Sequence, residues 1–169
     1  MSSMNTAITL RDEVRPADVA AVRDLVAATG FFSDVEVAIA AELVQERLDK
    51  GEASGYEFLM ADRDGVLLGY ACYGLVPCST VSWDLYWIAV APAAQGEGLG
   101  RRVIAEVERR IAAAGGLACY AETSGRPQYE PTRAFYLRTG YDTGAVFPDF
   151  YGPGDAKYVF VKRLDGQKA

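Results

Sequence analysis

Residues 90–104 read Val-Ala-Pro-Ala-Ala-Gln-Gly-Glu-Gly-Leu-Gly-Arg-Arg-Val-Ile. An apolar segment leads into three alternate glycines, Gly96, Gly98 and Gly100, and a stretch with helical periodicity follows them at once. A strand, a glycine loop and a helix in this order form a binding site for a diphosphate. The first N–H groups of the helix have no intrahelical acceptors and lie at the positive end of its dipole. Glycines lack Cβ atoms, so the backbone can approach the ligand closely.

The spacing of the glycines excludes two common phosphate-binding motifs. The dinucleotide fingerprint would need a third glycine where Arg101 stands, and a P-loop would need a following Gly-Lys-Ser/Thr. The stretch instead matches Gln/Arg-x-x-Gly-x-Gly/Ala through Gln95, Gly98 and Gly100. Between a strand and a helix, this pattern resembles the coenzyme A signature of the GNAT superfamily of acyl-CoA N-acyltransferases. The alternative is a loop whose glycines only permit a tight turn.

A second motif further along the chain strengthens the resemblance. Residues 134–141 read Ala-Phe-Tyr-Leu-Arg-Thr-Gly-Tyr. They are similar to the GNAT helix that carries a tyrosine and ends in Gly-Phe or Gly-Tyr. The two motifs and the strands between them cover about residues 84–162, and the N-terminal half agrees in element order only. The resemblance implies an N-acetyltransferase domain over residues 6–165.

Composition indicates a compact enzyme. A chain of 169 residues, half of them hydrophobic, is expected to form one domain with a substantial core. It contains no apolar run near the roughly 20 residues that a membrane helix needs, and its first six residues lack the features of a signal peptide. Cys72, Cys78 and Cys119 form no Cys-x-x-Cys pair. We expect them to be reduced thiols within strands of a cytoplasmic protein.

Charge and the absence of histidine restrict the chemistry. A net charge of −6 disfavours nucleic acid as a partner and favours a cationic small molecule. Without histidine there is no Ser-His-Asp or Cys-His arrangement and no histidine-ligated zinc, so we expect no metal. Proton transfer must fall to Asp, Glu, Tyr, Lys, Cys or water, which suits an acyl transfer in which an amine is the nucleophile.

Hydrophobic periodicity and turn residues predict an alternation of strands and helices. The predicted strands are residues 8–11, 56–61, 66–73, 84–90, 117–122 and 158–162. The predicted helices run from Pro16 to Gly30, from the Ser33–Glu36 capping box to Gly51, from the glycine loop to Gly115, and from Pro131 to Gly140. The order predicts an α/β, single-domain GNAT fold: a mixed, twisted sheet of six to seven strands with helices on both faces.

The resemblance implies acetyl-CoA as the acyl donor and assigns residues to it. The N–H groups of the loop would hold the pyrophosphate, Arg101 and Arg102 would add positive charge, and the backbone of Ile88 and Val90 would pair with the pantetheine arm. Many relatives are basic where this chain has Gln95 and Glu97. A carboxylate beside a diphosphate costs Coulomb energy unless it points into water. Tyr129 stands where many relatives carry an asparagine that contacts pantetheine. The full set is Ile88, Ala89, Val90, Gln95, Gly96, Glu97, Gly98, Leu99, Gly100, Arg101 and Tyr129.

Three residues are candidates for proton transfer. Asp84 stands where many relatives carry a glutamate near the acceptor amine, and its apolar neighbours would raise its pKa and make it a better base. The alternative is an aspartate that binds a turn N–H. Glu122, at the end of the next strand, would take the same role or bind the ammonium. The resemblance assigns Tyr136 to protonating the departing thiolate, and the alternative is a packing role beside Phe135.

The acceptor is the least defined part. Phe31 and Phe32, between the first two helices, would close over the substrate or plug the core. Tyr73 and Tyr86 are further substrate-binding candidates, and Tyr129, Phe147, Asp149, Phe150 and Tyr151 would add an aromatic, acidic wall. We therefore expect transfer of an acetyl (acyl) group to a primary amine of a small molecule by direct attack in a ternary complex. The alternatives are a protein or peptide N-acetyltransferase and a non-catalytic acyl-CoA sensor. The sequence contains no pattern that indicates an oligomeric state, and a homodimer is one alternative.

Overall fold

The computed structural model describes residues 7–166. The first six residues, in which we expect no signal peptide, lie outside it. They include Thr6, where the predicted domain begins. Seven strands and four helices alternate along the chain. The strands are β1 Thr9–Arg11, β2 Glu57–Arg63, β3 Val66–Leu75, β4 Ser82–Val90, β5 Ala118–Ser124, β6 Asp142–Gly152 and β7 Asp155–Arg163. The helices are α1 Asp18–Ala28, α2 Asp34–Lys50, α3 Leu99–Ala113 and α4 Glu130–Arg138.

The strands form one mixed sheet in the order β1-β2-β3-β4-β5-β7-β6. Strands β4 and β5 are parallel, whereas β5 with β7 and β6 with β7 are antiparallel. This confirms the predicted mixed α/β sheet of six to seven strands. The strand absent from the sequence-based prediction is β6. It contains Pro148 and two glycines, and nearly all of its residues are exposed, so it lacks the apolar alternation that marks a half-buried strand.

Contacts divide the chain into two compact units. The first contains the residues up to Cys72 together with Trp87–Ala105. Its core is built from α1, α2 and the strands, and comprises Val22, Leu25, Val26, Ala40, Val44, Phe58, Met60, Tyr70, Cys72 and Ala89. Successive side chains of a strand point to opposite faces. Tyr70 of β3 therefore faces this core, while its neighbour Gly69 faces Leu99 of α3. Within this unit, helices cover both faces of the sheet.

The two N-terminal helices form where the sequence predicts them. Helix α2 begins with the predicted capping box, in which the Ser33 hydroxyl accepts from the Glu36 N–H and the Glu36 carboxylate accepts from the Ser33 N–H. Such a cap satisfies N–H groups that the helix leaves without acceptors. Helix α2 ends at Lys50, before Gly51 with its φ of 60°.

The second unit contains Tyr73–Tyr86 and the residues from Glu106 onward. One face of its sheet, which we call the α4 face, carries Cys119, Ala121 and Phe160, because paired residues of neighbouring strands share a face. The Tyr136 ring of α4 stacks on the Phe160 ring with centroids 5.2 Å apart. The opposite face, which we call the acidic face, carries Asp84, its strand partner Tyr120, and Glu122.

The cysteines require one correction. Cys72 and Cys119 are buried in strands as predicted, and all three thiols are free. Cys78 was expected within a strand, but it is exposed in the turn after β3 with a φ of 68°. The sequence around Cys78, Val-Pro-Cys-Ser, favours a turn rather than a strand, because proline and serine are common turn residues. Within residues 7–166, no helix has the length and apolar character needed to cross a bilayer.

Gly116, which follows α3, tests the packing of the second unit. A Cβ built there would lie 2.4 Å from Ile111 Cγ2 and 2.7 Å from the Trp83 ring, both packed against the backbone. We expect Gly116→Ala to lower the free energy of unfolding by about 1–3 kcal/mol through overpacking. A Cβ at Gly152 would meet nothing within 4 Å, so Gly152→Ala is the control in the same urea-denaturation experiment. Equal stability of the two variants would contradict the packing described here.

Candidate active site

The glycine loop before α3 holds two glycines in the left-handed region of backbone conformation. Gly96 and Gly98 have φ angles of 82° and 77°, a region that other residues adopt only at a cost. A Cβ at either position would meet nothing within 4 Å, so the space beside both glycines is open. The helical ladder begins where the Arg102 N–H donates to the Gly98 carbonyl at 3.1 Å. The preceding N–H groups have no acceptor inside the helix and are available to a diphosphate.

Leu99 fixes the start of α3 against the sheet. Its side chain is 3% exposed and packs over Gly69 of β3, where a Cβ would lie 3.2 Å from Leu99 Cδ2 and 3.3 Å from the Ala89 carbonyl oxygen. The absence of a side chain at Gly69 is what lets Leu99 approach. The side chain of Leu99 therefore has a packing role that holds the start of α3 against β3. No local pattern of residues singles out Gly69 from the sequence alone.

The end of β4 is joined to the loop by hydrogen bonds. The Gln95 side-chain amide donates to the Val90 carbonyl at 3.3 Å, and the Ala91 N–H donates to the Leu68 carbonyl at 2.7 Å. Gln95 thus ties the loop to the strand. The described pairing of β4 with β5 covers Ser82–Leu85, so Ile88, Ala89 and Val90 lie beyond it. Ala89 is buried in the first core, and its side chain has a packing role.

The charged residues of the loop have partners that the sequence did not indicate. Arg102 donates to the Ile8 carbonyl at 3.1 Å, whereas Arg101 is exposed. The Glu97 carboxylate does not simply point into water, since it accepts from Arg63 Nη2 at 3.0 Å. Arg63 is the last residue of β2 and was not a sequence-based candidate, because an arginine at the end of a strand is common on protein surfaces.

Tyr136 lies in an aromatic cluster of the second unit. It is 5% exposed, and its ring contacts those of Phe135, Tyr141 and Phe160. Burial raises the pKa of its hydroxyl, and the Cys119 thiol adds to the effect. In the part of the chain that the structure describes, this hydroxyl makes no hydrogen bond.

The two carboxylate candidates lie on the acidic face of the same unit. Asp84 is half-buried, and burial raises its pKa; repulsion from Glu122 raises it further and Lys157 lowers it. Glu122 is exposed and forms an ion pair with Lys157, whose Nζ lies 3.0 Å from Glu122 Oε2. The Lys157 Nζ also lies 4.4 Å from the centroid of the Phe150 ring. Asp84 is therefore the carboxylate with the properties of a base, and Glu122 is already neutralised.

Some of the remaining candidate residues are packed in the interior, and others are exposed. Phe32 packs against the first core and its ring centroid lies 5.0 Å from that of Trp87, whereas Phe31 is exposed. Tyr73 is 5% exposed and packs against Trp83, which favours a packing role, and Tyr86 is exposed. The other buried candidate, Tyr129, immediately precedes α4, where the Arg126 guanidinium lies 5.3 Å from its ring. The exposed aromatic residues of β6 are Phe147, Phe150 and Tyr151.

A family model for the GNAT acetyltransferases matches residues 21–141. The chain belongs to this family. A crystal structure of a GNAT-family protein from Desulfovibrio desulfuricans is 45% identical, with a TM-score of 0.90 over 94% of this chain and 99% of that one. Acetyl-CoA is the acyl donor that GNAT enzymes use. A search of curated proteins finds none that matches the chain.

More distant structures share the fold. An aminoglycoside 6'-N-acetyltransferase in complex with coenzyme A is 19% identical, with a TM-score of 0.73 over 96% of this chain and 99% of that one. The ribosomal-protein-S18-alanine N-acetyltransferase from Escherichia coli is 17% identical, with a TM-score of 0.71 over 94% of each chain. One of these proteins is named for a small-molecule acceptor and the other for a protein acceptor, so the fold leaves both classes open.

Gly98 provides a test of the loop. Alanine at a φ of 77° costs about 1–2 kcal/mol if the backbone keeps its conformation, so we expect the loop to relax away from the ligand geometry. The Kd for coenzyme A in Gly98→Ala should rise roughly tenfold or more, measured by calorimetry. Gly154, in the β6–β7 turn, has a φ of 80° and equally open surroundings. Gly154→Ala should carry the same backbone cost without weakening coenzyme A binding. An unchanged Kd in Gly98→Ala would contradict the assignment.

Proposed function

We propose that this GNAT acetyltransferase transfers an acetyl group from acetyl-CoA to a primary amine of a small molecule, by direct attack in a ternary complex. The observation that carries the proposal is the glycine loop, with open space at Gly96 and Gly98 and unsatisfied N–H groups at the start of α3. Arg101 adds positive charge there. The net charge of −6 and the acidic face favour an acceptor that arrives as a cation.

The acceptor must lose a proton before it can attack. An ammonium has no lone pair, so a base takes one proton, and the amine nitrogen then forms a bond to the thioester carbonyl carbon. Asp84 is the proposed base, because a carboxylate with a raised pKa holds a proton more readily than an ordinary aspartate. The nitrogen of the adduct loses its second proton to water, the carbonyl re-forms as the C–S bond breaks, and the products are an N-acetyl amide and coenzyme A.

The departing thiolate takes its proton from Tyr136 in this proposal. The raised pKa keeps the phenol protonated throughout the physiological range. It also makes full proton transfer to an ordinary thiolate unfavourable, since thiols have pKa values of about 8.5. The hydroxyl therefore acts best as a hydrogen-bond donor whose proton moves as charge develops on sulfur. This role requires a hydroxyl without an internal acceptor, which is the state observed.

A protein or peptide acceptor is the second candidate. The observation that favours it is the exposed apolar edge on β6, where Val146, Phe147, Phe150 and Tyr151 are each at least 44% exposed. A panel of amines, amino acids and peptides with acetyl-CoA, followed by thiol release, separates the two classes. Turnover of small amines supports the proposal, and turnover of peptides alone overturns it. A chain that binds acetyl-CoA and acetylates neither class would be a sensor.

Two further proposals concern extent and location. The family model covers residues 21–141, and β1 and β7 belong to the same sheet as the matched strands. We therefore propose that the N-acetyltransferase domain covers residues 6–165. The three free thiols support a cytoplasmic location, where thiols stay reduced.

Tyr136→Phe tests the acid. The change keeps the ring that packs on Phe160 and removes only the hydroxyl, so the stability should change little. Turnover of an accepted amine should fall about 10²–10⁴-fold with an almost unchanged Kd for coenzyme A, because only the proton donor is lost. Tyr158 stacks on the same Phe160 ring and serves as the control, since Tyr158→Phe removes a hydroxyl from the same cluster. Normal turnover in Tyr136→Phe, with chemistry rate-limiting, would leave Tyr136 as a packing residue.

The pH dependence of kcat/KM tests the base. Asp84 works deprotonated, so activity should fall as the pH drops through its pKa. Lys157 lowers this pKa, so Lys157→Met should move the acid limb of the profile to higher pH. Glu122 raises it, so Glu122→Gln should move the limb to lower pH. Lys50→Met, which removes a cation from an exposed pair with Glu46, controls for net charge. An acid limb that stays in place in both variants, or that survives Asp84→Asn, would assign deprotonation to another group.

A further inference from the structure

The structure assigns a second role to Arg63: we propose that it binds the diphosphate of coenzyme A while it neutralises Glu97 in the glycine loop. This inference rests on the proposed binding of acetyl-CoA at that loop. It adds a residue from outside the sequence motif, carried on the β2–β3 hairpin, and it explains how an acidic residue can lie within a site for a polyanion.

The position of Arg63 follows from the loop residue that it contacts. Arg63 Nη2 lies 3.0 Å from Glu97 Oε2, and Glu97 is flanked by Gly96 and Gly98, whose backbone borders the open space of the loop. A guanidinium that touches Glu97 is therefore held at the loop itself. Its backbone is fixed, since Arg63 ends β2 and is followed by a tight turn in which Asp64 and Gly65 have φ angles of 54° and 78°.

The hydrogen-bonding state of Arg63 points to a missing acceptor. Its Nε is shielded from water and has no hydrogen-bond partner in the structure, although Nη2 donates to Glu97. Leaving a donor of a charged group unpaired is unfavourable. A guanidinium binds phosphate oxygens through two N–H groups at once, so a rotation of this side chain would let it bind a phosphate and keep contact with the carboxylate.

The electrostatics of the loop require such a cation. Glu97 stands where many relatives have a basic residue, and an unpaired carboxylate there would repel the diphosphate. Arg102 donates to the Ile8 carbonyl, and Arg101 is exposed, so neither compensates Glu97 directly. Arg63 is 29% exposed in its side chain against 47% for Glu97, so the pair is partly shielded from solvent and its charge acts more strongly than on an open surface.

A double-mutant cycle separates binding from neutralisation. Calorimetry with coenzyme A is performed on the wild type, Arg63→Met, Glu97→Gln and the double variant. Glu97→Gln should bind at least as tightly as the wild type, because a negative charge is removed and Arg63 is released. Arg63→Met should raise the Kd about 10- to 100-fold, in the range that loss of one charge-assisted contact produces. The double variant should stay at least several-fold weaker than Glu97→Gln, because Arg63 is still missing from the diphosphate. A double variant that binds as tightly as Glu97→Gln would overturn the inference and leave Arg63 with neutralisation alone.

Ligand fragments and matched variants complete the test. Arg63→Met should also raise the Kd for 3'-dephospho-coenzyme A. It should leave the Kd for pantetheine unchanged, because pantetheine has no phosphate. Its loss with 3'-dephospho-coenzyme A would overturn the assignment to the diphosphate. Arg47 and Glu57 form an ion pair at the other end of β2, with Arg47 Nη2 and Glu57 Oε2 3.5 Å apart. Arg47→Met with Glu57→Gln controls for loss of such a pair.

Two further outcomes are distinguishable. If Arg63→Met fails to fold, Arg63→Lys replaces it, because lysine keeps the charge but lacks the paired N–H groups. Arg63→Lys should bind coenzyme A more weakly than the wild type, with a Kd raised less than the roughly 10- to 100-fold expected for Arg63→Met. A Kd equal to that of the wild type would overturn paired binding by the guanidinium. A wild type that ignores coenzyme A would refute the proposed function, whereas binding that is unaffected in Arg63→Met refutes only the present inference.

Discussion

The unsatisfied N–H groups at the start of α3 are the constraint on which the rest of the proposed chemistry depends. They exist in any helix, but here the chain keeps them accessible. Gly96 and Gly98 adopt a backbone region closed to most residues and leave open space beside them. Leu99 is buried over Gly69, and this contact fixes where α3 begins. The proposed anion site therefore depends on apolar packing: Gly69 on β3 has no side chain, and Leu99 fills the space beside it.

The second unit carries its candidate groups for proton transfer on opposite faces of one sheet. Tyr136 packs on the α4 face, against Phe160, while Asp84 and Glu122 lie on the acidic face. The alternation of side chains along β4 and β5 produces this separation. Burial raises both the Tyr136 and the Asp84 pKa, but the consequences differ: the phenol keeps its proton, and the carboxylate becomes a stronger base.

The sequence predicted the repeating features of the fold well. The capping box at Ser33 and the alternation of strands and helices depend on local spacing, and the structure has them. Strand β6 was missed because its residues are exposed and include Pro148. Arg63 and Lys157 were missed for another reason. Each acquires its partner through chain folding, 34 and 35 residues away, and no local pattern encodes that pairing.

Pairing of charges also bears on the identity of the base. Two of the candidate carboxylates have a cation within 3.0 Å: Glu97 has Arg63, and Glu122 has Lys157. In the described part of the chain, Asp84 has no such partner, and it is also more shielded from solvent than the other two. The proposed deprotonation of the amine is therefore assigned to Asp84, whose pKa is raised by burial.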